Sequence, residues 1–191
     1  ALRLALALGC RAGAIDAIFH HLWAEGRAGD SAAALAPVAA RFGIDDGELF
    51  QTLKLAKQLG LIVTAHCENE TLVSELQRRL LAEGKTGPEW HEPSRPPQVE
   101  AEGVHHLMTF AEMTGAHVYC VHTSCREALE AVQEAQLRGV QAWVETVIPY
   151  LVVDKTYAEK PNFEGAKYVM SPPLRDPMHQ PVLWNALRSR L

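Results

Sequence analysis

Two short runs, each ending in histidine and each followed by a helical segment, constrain this chain more than any other feature. They are Leu61-Ile62-Val63-Thr64-Ala65-His66 and His117-Val118-Tyr119-Cys120-Val121-His122. Short β-branched runs bounded by turn signals read as buried strands. Before the first, Asp45 or Asp46 can cap a helix running to about Leu59, with Leu49, Phe50, Leu53, Ala56 and Leu59 at helical spacing and Gly60 as its stop. After it, Asn69 opens a helix to about Glu83, closed by Gly84. Residues 85–97 hold four prolines and one glycine and read as a loop. A helix from about Val99 to Met113 leads to the second strand, and one from Cys125 to Arg138, ended by Gly139, leads to a third near 141–147. A mixed stretch and a last helix from about Pro177 complete the pattern. Strand–helix–strand alternation predicts an α/β fold with a parallel sheet and right-handed crossovers. A closed eight-stranded (β/α)8 barrel takes roughly 250 residues. A chain of 191 residues is therefore expected to be a small open sheet or part of a barrel.

Composition excludes several classes. The chain is 48% apolar and 21% charged, as soluble globular proteins are. Its net charge of −5 argues against a nucleic-acid partner, which would need a basic face. Its apolar runs are too short to span a bilayer, so no membrane partner is expected. Four cysteines, Cys10, Cys67, Cys120 and Cys125, form no Cys-x-x-Cys pair and suit a reducing, cytoplasmic setting. Residues 1–43 stand apart from 44–191. Fourteen of those 43 are alanine, and no lysine precedes Lys54. This zone has helical propensity but little patterning, and it is expected to pack poorly.

His66 and His122 end successive strands, and in parallel α/β folds sites form at the carboxyl ends of strands. Neighbouring strands lie about 4.8 Å apart, so two such imidazoles can converge on one ion of the zinc type. Each is followed by polar residues, Cys67-Glu68-Asn69 and Thr123-Ser124-Cys125. We therefore prefer a metal site to a pair of buried structural histidines. Cys120-x-His122-x-x-Cys125 does not read as a zinc cluster by itself, because Cys125 falls beyond the strand, and Cys120 reads as a thiol that packs as a small hydrophobe. The adjacent pairs His20-His21 and His105-His106 read as surface or packing residues. Trp90 and His91 fit a covering role or loop packing equally. Ser171, ahead of Pro172-Pro173, reads by itself as part of a rigid turn.

Four segments carry a resemblance. DDGELFQTLKLAKQLGLIVTAHCENE (45–70), TGPEWHEPSRPPQVEAE (86–102), VYCVHTSCREALEAV (118–132) and FEGAKYVMSPPLR (163–175), continued by QPVLW (180–184), resemble dihydropyrimidinases and D-hydantoinases in order and spacing. These are cyclic amidohydrolases of the amidohydrolase superfamily. The resemblance covers about 44–191 and implies a partial (β/α)8 barrel, about strands five to seven. It implies metal-dependent hydrolysis of cyclic amide C–N bonds in dihydropyrimidines or hydantoins, giving N-carbamoyl amino acids. His66 and His122 would then hold one of two zinc or similar divalent ions. The backbone of Ser171 would bind the small cyclic amide, and the full-length family implies a homo-oligomer. The chain departs from the pattern too. It has no His-x-His, and Ala36 to Gly43, where a carboxylated metal-bridging lysine would precede 45–70, holds no lysine. The eighth-strand aspartate would lie beyond Leu191. We therefore expect a fragment, truncated or frame-shifted in origin, to be incomplete for catalysis, with no residue of its own assigned as catalytic. The alternatives are a non-catalytic scaffold of the same family and another cyclic amidohydrolase, an allantoinase or dihydroorotase.

Overall fold

The computed structural model describes residues 45–189. The Ala-rich zone 1–43 and its expected poor packing lie outside them. The chain divides into two compact units, 1–52 and 53–191, and of the first only 45–52 are described. Helix α1 (Asp46–Leu59) starts there. Asp45 Oδ1 accepts from the Glu48 N–H at 2.9 Å while Glu48 Oε2 accepts from the Asp45 N–H at 3.3 Å, a reciprocal cap of the helix start.

In the second unit, β1 (Ile62–Ala65), β2 (His117–Cys120) and β3 (Ala142–Val144) form one parallel sheet in the order β1-β2-β3. Between them run α2 (Glu70–Ala82), α3 (Pro97–Thr114) and α4 (Arg126–Leu137). Asn69 caps α2 by accepting from the Leu72 N–H. Gly60, Gly84 and Gly139 take positive φ at the expected stops. A 3-10 turn at Pro88–Trp90 inside the 85–97 segment, a short α5 (Ile148–Val152), three further 3-10 turns and α6 (Gln180–Ser189) complete the described chain. The parallel α/β expectation holds. The strands are shorter than the expected 61–66, 117–122 and 141–147; beyond β2 the left-handed backbone at His122, φ +45°, keeps the strand from running through that residue. Among the described residues no helix is long and apolar enough to cross a membrane.

The main core lies between α3 (Val99, Val104, Leu107, Met108, Ala111), α4 (Ala128, Leu129, Val132, Ala135) and β2 (Val118, Cys120). A smaller cluster joins Tyr150, Leu174 and Leu183, with Val147, Tyr157 and Met170 against it. Between these cores sits a buried polar knot. The Glu100 carboxylate on α3 pairs with Arg175 at 2.8 Å and accepts from the Ser124 N–H at 2.8 Å and the Ser124 hydroxyl. Arg175 also donates to Ser124 Oγ at 2.9 Å and to the Arg95 carbonyl. Removing one partner of a buried ion pair strands the other charge, at a cost of about 3–5 kcal/mol. We expect Arg175→Met to lose stability on that scale in urea unfolding. A loss under about 1 kcal/mol would contradict a knot of this kind.

His179 fastens α6 to α4. Cys125, at the N-cap of α4, makes no side-chain cap, and the Arg126 N–H donates instead to His179 Nδ1 at 3.1 Å. That nitrogen must stay unprotonated to accept. Burial, then the nearby Arg175 and Arg126 charges, lower the His179 pKa against the opposing pull of Glu127 and Asp176. The unfolded chain therefore takes up this proton first as pH falls. The contribution is complete above the ordinary histidine value, about 6.5, and is lost as pH falls through the lowered folded value. His179→Asn keeps an acceptor without that proton. We expect its Tm to fall less steeply than the wild type's between pH 6.5 and 5, measured by thermal melts across ~8 pH values.

Candidate metal centre at the strand ends

The register Ala65↔Cys120 brings the ends of β1 and β2 level. His66 is the next residue after β1. His122 lies one position further along than its counterpart would, and the left-handed backbone there turns its ring back toward His66. Such a conformation is uncommon for a residue with a Cβ and persists only when its surroundings hold it. Here Glu145 helps hold it. Its Oε1 accepts from the His122 N–H at 3.3 Å, its Oε2 from the Tyr119 hydroxyl at 3.1 Å, and its carbonyl from the Thr123 N–H at 2.7 Å.

The structure brings His66 and His122 together. Nδ1 of His66 lies 3.1 Å from Nε2 of His122, with ring centroids 4.9 Å apart and planes at 67°. Two nitrogens bound to one tetrahedral zinc at about 2.0–2.1 Å would stand about 3.3 Å apart, so the pair fits two corners of such a shell. Burial first, then neighbouring His66, lower the His122 pKa, which favours the neutral ring that ligates metals. Among the described residues no group of three or more His, Cys, Asp or Glu side chains is placed to hold an ion. The described part of the chain thus offers two donors.

Behind His66 stands Glu68. Its Oε2 meets His66 Nε2 at 2.9 Å and Arg95 Nη1 at 2.7 Å. Burial alone would raise the Glu68 pKa, but the His66 hydrogen bond and the Arg95 and Arg175 charges outweigh it and lower the value. The backbone of Cys67 and Glu68 lies directly on α3 at Gly103, where a Cβ would come within 2.9 Å of Cys67 C and Glu68 N. Glycine inside a helix costs about 1 kcal/mol relative to alanine, and here that cost permits close approach. We expect Gly103→Ala to destabilise by about 1–3 kcal/mol in thermal unfolding and to shift the His66 ring resonances. A stabilised variant with unmoved resonances would refute the contact.

Ser171 makes its side-chain contact elsewhere, with Oγ 3.4 Å from His91 Nε2. His91 Nε2 donates to the Met170 carbonyl at 2.8 Å, and the Tyr150 hydroxyl donates to the Pro172 carbonyl at 2.6 Å, so the segment around Ser171 is held on both sides. His91 therefore supports Ser171 rather than merely filling the loop. Cys120 and Cys125 are buried, and Cys125 Sγ points to Pro97 O and Glu100. Burial and the Glu100 charge push the Cys125 thiol well up, away from the thiolate that zinc requires. The burial of Cys120 agrees with its reading as a packing residue. His105 is exposed and His106 stacks on Phe110. His20 and His21 lie outside the described residues. Sequence reasoning does not give Glu68, Arg95, Glu145 and His91 these roles. Only Glu68 carries a sequence signal, its place two residues after His66.

No protein-family model matches the chain. D-hydantoinase of Geobacillus stearothermophilus is 47% identical over 148 residues, 78% of this chain and 31% of that protein. The solved structure of D-hydantoinase (dihydropyrimidinase) from Thermus sp. superposes with a TM-score of 0.75 at 53% identity, over 85% of this chain and 38% of that one. The matched segment belongs to the D-hydantoinase and dihydropyrimidinase family. The dihydropyrimidinase of Brevibacillus agri gives the same TM-score, 0.75, at 44% identity over 78% of this chain and 32% of that one. The chain spans about a third of the length of the curated relatives it matches.

Proposed function

We propose that residues 45–189 contribute strands five to seven of a (β/α)8 barrel whose activity is metal-dependent hydrolysis of a cyclic amide C–N bond. The substrates in this reading are dihydropyrimidines or hydantoins, and the products are N-carbamoyl amino acids. The observation that carries it is the His66 and His122 pair, 3.1 Å apart at the carboxyl ends of adjacent parallel strands. In this reading the two imidazoles hold one zinc or similar divalent ion. A divalent ion there supplies carbonyl polarisation and a bound water acidic enough to ionise near neutral pH. Glu145 holds the His122 backbone N–H at the left-handed turn from which the ring faces His66. The Met170 to Pro172 segment offers the Ser171 backbone to the planar amide, steadied by His91 and Tyr150. Further ligands would come from outside the described residues. The Ala36 to Gly43 stretch supplies no lysine, so the 191-residue chain by itself is read as an ion binder without turnover.

Two measurements test this. Equilibrium dialysis of the 191-residue chain against zinc is expected to give one weak site, lost in His66→Ala and in His122→Ala, with no ring opening of dihydrouracil or hydantoin. Exchanging the matched segment of the Geobacillus stearothermophilus D-hydantoinase for residues 45–189 should leave a hydantoin-opening enzyme. In that chimera either histidine substitution should lower kcat/KM by at least ~10²-fold, the scale of a lost electrostatic stabiliser. A folded, metal-replete chimera without activity would sink the reading, as would zinc binding by the chain that survives both substitutions.

A further inference from the structure

One acidic side chain stands against the candidate metal centre from behind. The side chain of Glu68 is 2% exposed, whereas that of His66, which it meets at 2.9 Å, is 42% exposed. A buried carboxylate at this position is expensive unless charge balances it, and Arg95 donates to the same oxygen at 2.7 Å. The other oxygen, Oε1, is buried and meets no protein donor. The backbone carrying Glu68 rests on α3 at Gly103, which fixes where the carboxylate stands.

The chemistry of these contacts is directional. An ionised carboxylate only accepts, so the hydrogen between Glu68 and His66 belongs to His66 Nε2. A neutral imidazole protonated at Nε2 has its lone pair on Nδ1. Nδ1 is the nitrogen that faces His122 Nε2 at 3.1 Å. We infer that Glu68 is a positioning residue, which locks His66 in its Nε2–H tautomer and ring orientation so that the Nδ1 lone pair faces the ion. The inference rests on the reading of His66 and His122 as ligands. Arg95 acts one step further back, balancing the carboxylate. Metal-bound histidines commonly donate their second N–H to a carboxylate, and losing that partner typically costs about 10–100-fold in metal affinity.

The test uses the full chain, nitrogen-15 labelled and metal-free, with long-range proton–nitrogen spectra of the histidine rings at pH 8. Cobalt(II) titration followed by visible absorption accompanies it. Wild-type His66 is expected as the Nε2–H tautomer. Glu68→Gln keeps an oxygen that accepts the same hydrogen bond, and it should keep that tautomer and most of the cobalt affinity. Glu68→Ala should lose the fixed tautomer and bind cobalt about 10–100-fold more weakly. A wild-type His66 found in the Nδ1–H form overturns the inference with no variant needed. So does an unchanged tautomer in Glu68→Gln and Glu68→Ala with equal weakening in both, since Glu68 would then serve only as the counter-charge of Arg95. Cobalt binding that ignores both Glu68 variants yet vanishes in His66→Ala overturns the inference and leaves the ligand reading intact. Cobalt binding that His66→Ala does not reduce overturns the ligand reading, and the inference falls with it.

Discussion

The buried carboxylate of Glu100 organises this part of the molecule. It is charged, sits on a helix that is otherwise apolar on its inner face, and lies between two hydrophobic cores. Its burial is tolerated only because Arg175, 75 residues away in sequence, and Ser124, just ahead of α4, both donate to it. The requirement works in both directions. The Arg175 segment enters the interior at Glu100, and α6, with the 3-10 turn at Pro177–His179 ahead of it, lies against α4. Arg175 also donates to the Arg95 carbonyl, and Arg95 in turn meets Glu68. One electrostatic network therefore runs from the helix layer to the strand end that bears His66.

The strands themselves are short, at four, four and three residues. A ladder of that length places its ends well but does not orient the residues just past them. Orientation of the histidines comes from side chains instead. Glu145 reaches back from the end of β3 to the His122 N–H, and Glu68 stands behind His66. The ladder sets how far apart the two residues are, while Glu145 holds the backbone at His122 and Glu68 meets the ring of His66.

This division explains how much is legible in the chain alone. Glycine stops, the Asn69 cap and the β-branched runs are local signals, and they locate the elements to within a few residues. The histidine pair is legible because strand ends of a parallel sheet share one side, so histidines just past the ends of adjacent strands come close together. The second strand comes out too long from sequence in part because the left-handed turn at His122 is held by Glu145, 23 residues on. Glu68 with Arg95, and His91 with Met170, are pairings across 27 and 79 residues, and no periodicity marks them. The sequence motifs of a family carry such pairings implicitly, in the positions that a resemblance matches, without saying what each position touches.

The run from Met170 to Pro172 bears a different consequence. Both carbonyls that flank Ser171 already have donors of their own, His91 on one side and Tyr150 on the other. Fixing a backbone residue costs roughly 1–2 kcal/mol of conformational entropy, and in this segment the folded chain has met that cost before any small molecule arrives. A planar ring docking against Ser171 would meet a surface whose shape does not wait on its arrival. Discrimination between rings would then fall to fit, since a ring that does not match cannot remould the segment to suit itself.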